Sequence, residues 1–279
     1  MKRRSSTLGW VVLLTAIGTP TASAAAPLRA AAVAPSKTTV SSDWAGYVAR
    51  RTSSSGAPIS FSAVSGRWVL PEANCSSTSI IGPTSAAFWV GLGGDQSGSN
   101  PVIEQIGTVA DCSATGAPDY FAWYELVPAG WVKVRLNVSP GDTISAAVSV
   151  SGTRVTVLMR NVTRKTSFSK TSTIASPDST SAEWIVEPPS VCTSVSGAFC
   201  GRQMLTNFGT VRFSDMIARS PTRRGSVRDP SWSETPVSLH EGGPYGGFAP
   251  EQNAAEAVPS TLSRNGSAFS ISWRRRSGM

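Results

Sequence analysis

Histidine is nearly absent from this sequence of 279 residues, since His240 is the only one. A serine protease triad needs a histidine base, and the sequence contains no G-x-S-x-G motif to supply a nucleophile. It also contains neither H-E-x-x-H nor C-x-x-C, so a zinc site of cysteine and histidine has almost no material. These absences argue against the commonest hydrolase chemistries and leave the carboxylates for acid and base catalysis.

Apolar runs long enough to span a membrane as a helix, which needs about 20 residues, are also missing. Residues 1–24 have the pattern of an export signal: three basic residues, the apolar stretch 9–18 and a small-residue cleavage site at 22–24. We therefore expect a secreted, extracellular protein with no membrane contact after the signal is removed. Residues 25–40, rich in alanine and proline, are predicted to form a short pro-segment or a flexible arm.

Basic residues outnumber acidic residues only modestly. Without the predicted signal the chain has 22 basic and 17 acidic residues. The densest basic segments, 218–228 and 273–276, suit an acidic partner, but such segments are more often solvated loops and tails. Aromatic residues do not alternate with these arginines as a nucleic-acid platform requires, so we expect no nucleic-acid partner.

Cysteine is sparse, with four residues in the whole sequence: Cys75, Cys112, Cys192 and Cys200. An even number of cysteines in an exported protein predicts two disulfides. Three pairings are open. Closeness in sequence favours Cys192 with Cys200, which leaves Cys75 with Cys112.

Helical periodicity is equally rare, and the best candidate for a helix is the short segment 250–258. The chain instead has runs of alternating or β-branched residues bounded by Gly, Pro, Asn, Asp and Ser, which predict antiparallel strands. Ser151-Gly152 predicts a hairpin turn, and 89–95 a strand ending in a tight turn. One all-β domain over 41–274, with a basic tail at 275–279, fits this pattern. The predicted strands are 44–50, 61–70, 86–92, 102–110, 120–127, 131–138, 143–163 with its hairpin, 167–174, 182–187, 209–216 and 268–273.

The segment SAEWIVE (181–187) carries two glutamates in an otherwise apolar strand. Alternation puts Glu183, Ile185 and Glu187 on one face and Trp184 on the other. A buried Trp184 makes its own face the core, so the glutamates face a groove or solvent; the competing interpretation is a half-buried strand with a polar outer face. At about 3.3 Å per residue the two glutamates are about 13 Å apart, too far to be catalytic partners of each other.

The segment VIEQIGT (102–108) offers a second group for catalysis. Alternation puts Gln105 on one face with Ile103 and Gly107, while Glu104 lies on the opposite face. The small residue at position 107 leaves space beside the amide of Gln105. The competing interpretation is an ordinary surface glutamine.

Six motifs along the chain together resemble the glutamic peptidases, also called eqolisins, over about residues 40–273. The resemblance implies a β-sandwich of two long, curved antiparallel sheets, of the concanavalin-like or jelly-roll type, with a Gln/Glu dyad on the concave face. It also implies a secreted endopeptidase that acts on polypeptides at acidic pH. The motifs, in order, are DWAGYV (43–48), FWVGLGG (88–94), VIEQIGT, AWYELVP (122–128), SAEWIVE and NFGTVRFSD (207–215).

The dyad implied by the resemblance is Gln105 and Glu183. In this reading Glu183 takes a proton from a water held between the two side chains and later delivers it to the leaving nitrogen. The Gln105 amide N–H stabilises the oxyanion, so no covalent intermediate, metal or cofactor is expected.

The remaining site residues are also implied by the resemblance. Trp44, Trp89 and Trp123 are expected to line the substrate cleft together with Glu187, although for each tryptophan the competing interpretation is core packing. The small disulfide loop of the family matches the 192–200 segment. Because no long apolar surface helix or heptad repeat is found, we expect a monomer.

Two departures from the family pattern affect the expected subsites and pH profile but not the dyad. Gly93 stands where many members have an aspartate, with Asp95 two positions later, and Val127 replaces a cleft aromatic residue. The arginine-rich segment 218–228 has no counterpart. Two alternatives remain open: a secreted carbohydrate-binding β-sandwich, in which the tryptophans stack on sugars and Glu183 accepts hydroxyl hydrogen bonds, and an inactive peptidase descendant.

Overall fold

The computed structural model describes residues 38–76, 82–95, 102–192, 200–241 and 254–275. Every regular element in these ranges is a β-strand, which confirms the predicted all-β class. No helix among the described residues is long and apolar enough to cross a membrane. The strands are β1 (Thr39–Ser41), β2 (Ala45–Arg50), β3 (Ala63–Val69), β4 (Thr84–Gly93), β5 (Ile103–Cys112), β6 (Pro118–Leu126), β7 (Ala129–Lys133), β8 (Thr143–Ser151), β9 (Arg154–Asn161), β10 (Thr166–Thr173), β11 (Ser181–Glu187), β12 (Ser190–Cys192), β13 (Cys200–Arg202), β14 (Met204–Leu205), β15 (Thr210–Ser220), β16 (Arg223–Gly225), β17 (Ser233–His240), β18 (Ala255–Pro259) and β19 (Phe269–Arg275).

The long strands form two antiparallel layers of a sandwich. In the first layer, here called the cleft sheet, the strand order is β17, β2, β11, β4, β5, β6 and β7. In the second, the back sheet, it is β10, β9, β8, β3, β15, β19 and β18. The two layers are joined where β17 pairs with β18. The short strand β1 pairs with β17 in parallel.

Period-two patterning explains which strands are covered on one face and which on both. In β8 the side chains of Ile144, Ala146 and Val148 are buried, whereas the residues between them are partly exposed. Such a strand packs one face on the core and turns the other to solvent. The strands β4 and β11 are buried at nearly every position, because both faces of the cleft sheet are covered at its centre.

Two tryptophans tie the layers together across the core. The indole N–H of Trp68 on β3 donates to the hydroxyl of Thr108 on β5, at 2.9 Å. The indole N–H of Trp184 on β11 donates in the opposite direction, to the carbonyl oxygen of Ser65 on β3, also at 2.9 Å. Both rings are fully buried. The sequence-based prediction that Trp184 marks the core face of its strand is therefore confirmed.

The structure differs from the predicted elements in three places. Ala255–Pro259 is a strand, so the helix proposed for 250–258 is wrong over the described part of that segment. The hairpin between β8 and β9 turns at Gly152 and Thr153, because Ser151 still pairs with Arg154. Regular pairing of the predicted strand 131–138 ends at Lys133.

One of the two predicted disulfides lies within the described residues. Cys75 is bonded to Cys112 and links the segment after β3 to the end of β5, which confirms that pairing. The backbones of Cys192 and Cys200 lie directly opposite each other in the ribbon formed by β12 and β13. Their side chains fall outside the described part of the structure, so the second disulfide stays a prediction. The predicted signal at 1–24 also lies outside the described residues.

Candidate active site

The two residues assigned to the dyad lie in one row across the centre of the cleft sheet. Glu183 on β11 pairs with Gly91 on β4, and Gly91 pairs in turn with Gln105 on β5. Directly paired residues of a sheet point to the same face, and strands are about 4.8 Å apart. The Cα atoms of Glu183 and Gln105 are therefore about 10 Å apart, with their side chains on one face and only a glycine between them.

Position 91 requires a glycine because neighbouring atoms leave no room for a Cβ atom. A Cβ atom there would lie 2.8 Å from a ring carbon of Trp89 and 3.1 Å from the carbonyl oxygen of Glu104. The Trp89 ring thus lies against Gly91 and forms the floor between the two dyad side chains. Gly107 has a related role, because a Cβ at that position would meet the Trp89 Cβ at 2.7 Å.

Glu183 is fully buried, and neither of its carboxylate oxygens accepts a hydrogen bond of normal geometry from any described residue. Burial raises the pKa of Glu183 well above its ordinary value. The negative charges of Asp95 and Asp178 raise it further, while the nearby Ser181 hydroxyl and the charge of Arg50 act in the opposite direction. A carboxyl group in this setting holds a proton strongly and, when ionised, is a strong base.

Gln105 is 4% exposed and is oriented by a neighbour that sequence analysis did not identify. Its Nε2 donates to Glu125 Oε2 on β6 at 2.8 Å, while its Oε1 is buried and has no donor among the described residues. Burial raises the pKa of Glu125, and the hydrogen bond from Gln105 opposes that shift. The period-two pattern of AWYELVP could have placed Glu125 on the face of Trp123, but its position beside Gln105 depends on the register between β5 and β6.

A cavity of about 960 Å³ opens on this face of the cleft sheet. Gln105, Glu187, Trp44 and Trp123 are among the residues that line it. Trp89 is not part of this lining: it is fully buried and packs edge-on against Trp44, with ring centroids 5.2 Å apart. Trp89 therefore affects the cavity only through lining residues that it packs against, such as Trp44.

Glu187 has a strongly perturbed carboxyl group. Its pKa is raised to about 8, first by burial and then by the charges of Glu125 and Asp43. The indole N–H groups of Trp44 and Trp89 point toward it and oppose the shift, although that of Trp89 makes no hydrogen bond of normal geometry in the described structure. Glu183 and Glu187 therefore share one face of β11, as predicted, but Glu187 lines the cavity whereas Glu183 is fully buried and is not among the described residues that line it.

Gly93 stands at a position where the surrounding atoms leave no room for the aspartate that many family members have there. Its φ is +83°, and a Cβ there would lie 2.6 Å from the Cβ of Asp178, so an aspartate does not fit at this position. The carboxylate of Asp95 instead pairs with Arg50 at the rim of the cavity. Val127, the other departure, also lines the cavity.

The arginine-rich segment lies away from this site. It forms the end of β15, the hairpin to β16 and the following turn, in and beside the back sheet. Arg223 donates to the buried carboxylate of Asp229 at 2.9 Å, which fixes that turn. Part of the segment therefore serves the local structure of the back sheet.

Comparisons with known proteins agree with this architecture. The model of the peptidase A4 family matches residues 42–235. Scytalido-glutamic peptidase with a transition state analog inhibitor superposes with a TM-score of 0.64 and 24% identity, over 84% of this chain and 98% of that one. Aspergilloglutamic peptidase from Aspergillus niger gives 0.54 and 24%, over 68% of this chain and 99% of that one.

A third solved structure, SCP-B of the eqolisin family in complex with the tripeptide Ala-Ile-His, gives a TM-score of 0.58 and 24% identity. It aligns with 84% of this chain and 98% of its own. No curated protein matches the sequence. At this level of identity the solved structures establish the fold, whereas the family model covers well over half of the chain. The chain therefore belongs to the peptidase A4 family.

Proposed function

We propose that this family member is a secreted endopeptidase active at acidic pH, in which Glu183 and Gln105 activate a water molecule. The observation that carries the proposal is the row Glu183, Gly91, Gln105, in which two buried polar side chains face one another across a glycine. Both have oxygen atoms without partners in the described structure. Buried polar groups are normally satisfied, so such a pair is suited to bind a water or a substrate atom.

The chemistry follows from the two protonation states of Glu183. As a carboxylate it takes a proton from the water that attacks the peptide carbonyl carbon, and as a carboxyl group it delivers that proton to the leaving nitrogen. The second N–H of the Gln105 amide, which is not used by Glu125, donates to the carbonyl oxygen as negative charge develops. Glu125 supports this role because it holds the amide in one orientation.

The raised pKa of Glu183 shapes the expected pH profile. Because the base form becomes scarcer as pH falls, activity should decrease on the acid side with the apparent pKa of Glu183 in the enzyme. The protonated form remains available over the acid range to deliver a proton to the leaving group. The raised pKa by itself favours activity at higher pH, so the acidic optimum in this proposal rests on the family resemblance alone.

The test is hydrolysis of a denatured protein from pH 2 to 7 by the processed enzyme and by Glu183→Gln and Gln105→Ala. We expect about 10²- to 10⁴-fold loss of kcat in the first and about 10²- to 10³-fold loss in the second. Glu104→Gln is the matched control, because Glu104 is also a buried carboxyl group but lies on the opposite face of β5. Activity retained by Glu183→Gln would refute the assignment, and polysaccharide binding without turnover would favour the carbohydrate-binding alternative.

Secretion and monomeric state belong to the same proposal. The Cys75–Cys112 disulfide supports export, because such bonds persist in oxidising compartments. Amino-terminal sequencing of protein recovered from the culture medium should give a start at or after residue 25. Light scattering on the same sample should give the mass of a single chain.

A further inference from the structure

The outer face of the back sheet carries arginines that the candidate active site does not use. Strands β3, β9, β15 and β16 are fully described, and their outward positions hold six arginines and a single acidic residue, Asp215. The other layer has the opposite balance, since five acidic and two basic residues line its cavity. The two faces of the sandwich therefore differ in charge. The six arginines are Arg67, Arg154, Arg160, Arg212, Arg219 and Arg224.

These arginines have almost no counter-charges. Five of them have no ion-pair partner within the described ranges, and the sixth, Arg67, has one through Nη1, which lies 3.4 Å from Asp215 Oδ2. Both of these side chains are substantially exposed, so the pair contributes little to stability. Unpaired positive charges on one face repel each other, and an anionic ligand would offset that repulsion.

A shallow cavity of about 390 Å³ lies among these side chains. Arg67 and Arg224 line it, together with the small residues Ser65 and Ser145. Ser145 pairs with Arg67 on one side and with Arg160 on the other, so a short side chain lies between two long ones. Long side chains around short ones make a depression in the surface of the sheet.

An irregularity in β15 forms part of the rim. Between Ser214 and Ile217 two residues of β15, Asp215 and Met216, oppose one residue of β3. Met216 is fully buried, whereas Asp215, with a φ of +51°, is exposed and lines the cavity. Bulges of this kind redirect side chains and are frequent beside functional sites.

Hydrogen-bond donors from three strands meet at this cavity. Arg67 Nε is buried and has no acceptor among the described residues. Buried polar groups are normally paired, so this N–H is suited to an oxygen atom of a ligand. The guanidinium of Arg224 and the hydroxyls of Ser65 and Ser145 are further donors. A phosphate group presents three strong acceptor oxygens, which match such a set of donors better than a planar carboxylate does.

The other arginines extend the site beyond the cavity. Arg160 is two strands from Arg67, which is about 10 Å at 4.8 Å per strand. Arg212 is two residues from Ser214, the partner of Arg67 on β15. The aromatic residues in the described strands of the back sheet pack on the core side, so nucleic-acid bases would find no ring to stack on. The surface therefore suits a chain of phosphate groups without bases.

We propose that this cavity binds a phosphate group, and that the surrounding arginines extend the site to a linear polymer that carries phosphates. No residue that lines this cavity lines the cavity of the cleft sheet. A polymer bound to the back sheet therefore leaves the cleft open, and the site would hold the protein on an anionic surface with its acidic cleft accessible. The inference stands independently of the proposed peptidase function.

Asp215 competes with such a ligand. Its carboxylate is the only negative charge among the residues described as lining this cavity, and it lies beside Arg67. Asparagine also accepts the left-handed backbone conformation of this position and has no charge. Asp215→Asn should therefore tighten phosphate binding, by about two- to fivefold for the loss of one exposed charge.

The test follows the Nε–H signal of Arg67 by NMR in ¹⁵N-labelled protein at pH 5 and constant ionic strength, with the signal assigned by its loss in Arg67→Gln. Inorganic phosphate, acetate and chloride are added in separate titrations, followed by linear polyphosphate. We expect a saturable shift with phosphate, weaker binding of acetate and no saturation with chloride. Polyphosphate should bind at least about tenfold more tightly per chain than phosphate, because several groups engage at once.

The variants separate the cavity from the general charge of the protein. Arg224→Gln should lower the affinity for phosphate about tenfold. Arg135→Gln is the matched control, because Arg135 is also an exposed arginine but follows β7 in the other layer. It removes the same charge and should keep the wild-type affinity. Thermal unfolding of each variant checks that the fold is retained.

Four outcomes would contradict the proposal. A shift that chloride reproduces, or equal losses in Arg224→Gln and Arg135→Gln, would overturn the site. Weaker binding in Asp215→Asn would overturn the competition assigned to that carboxylate. Acetate binding as tightly as phosphate would overturn the choice of ligand. Polyphosphate binding no more tightly than phosphate would overturn the polymer and leave free phosphate as the ligand.

Discussion

Glu104 provides the sharpest test of how burial sets the charge state of this protein. It lies next to Gln105 in the chain but on the core face of β5, where it is fully buried between Leu92 and Leu126 in the strand pairing. Neither carboxylate oxygen has a hydrogen-bond partner of normal geometry in the described ranges. Burial, with a further contribution from the charge of Asp178, raises its pKa from 4.5 to about 8.

The size of the effect follows from proton linkage. Below about pH 4.5 Glu104 is protonated in both the folded and the unfolded chain, and it does not oppose folding. As pH rises from 4.5 toward 8, the unfolded chain releases the proton while the folded protein keeps it, so stability falls by about 1.36 kcal/mol per pH unit. Over about 3.5 units the loss reaches about 5 kcal/mol, an upper bound because local opening lets water reach the carboxylate.

Glutamine at position 104 has nearly the shape of the protonated side chain and no charge to bury. Glu104→Gln should therefore leave the free energy of unfolding within about 1 kcal/mol of wild type at pH 4 and increase it by several kcal/mol at pH 8. The assay is urea unfolding followed by tryptophan fluorescence at half-unit steps from pH 4 to pH 8. A difference between the two proteins that does not change with pH would refute the reasoning.

Three further predictions concern the site. Asp95→Asn should shift the acid limb of the kcat/KM profile to lower pH, because it removes a charge that raises the pKa of Glu183 and frees the opposing charge of Arg50; an unchanged limb would contradict this cause. Gly91→Ala should reduce kcat at least tenfold, because its Cβ would lie 2.8 Å from an indole carbon and displace the floor between the dyad; full activity in a folded variant would count against that geometry. Glu125→Ala should lower kcat more than it raises KM, since the amide beside it loses its orienting acceptor; a change in KM alone would show that Glu125 only binds substrate.

The sequence was sufficient for the fold class and for the faces of the key strands. Alternation along SAEWIVE placed Trp184 in the core and both glutamates on the other face, and the structure confirms this arrangement. Alternation along VIEQIGT likewise placed Gln105 and Glu104 on opposite faces of their strand. Such predictions succeed because the side-chain period of a strand is fixed by backbone geometry, whatever the strand pairs with.

Register between distant segments was not predictable in the same way. The row that joins Glu183, Gly91, Gln105 and Glu125 depends on three strand pairings between separate parts of the chain. No local pattern encodes which residues stand opposite each other across such pairings. For this reason Glu125 was missed, although its own strand was found.

The missed strand β17 has a related explanation. Its sequence SETPVSLH contains a proline and several polar residues, which argue against a strand when read alone. It forms because β2 pairs along one side of it, with Pro236 opposite Tyr47. Tertiary pairing thus overrides a weak local preference, and the same pairing brings Val237 into the cavity wall.

The buried carboxyl groups connect the stability of the fold with the acid range proposed for its function. Burial raises the pKa of six of them. Each of the six lowers the stability of the folded protein as pH rises above the pKa that the group has in the unfolded chain. Two aspartates, Asp142 and Asp229, behave in the opposite way: hydrogen bonds from arginines lower their pKa, so their contribution is lost only as pH falls below the unfolded value of about 3.9. The maximum stability should therefore lie on the acid side of neutral pH, where the raised pKa values of the six cost least, but above the range in which the two aspartates become protonated. The six are Glu104, Asp111, Glu125, Glu183, Glu187 and Glu241.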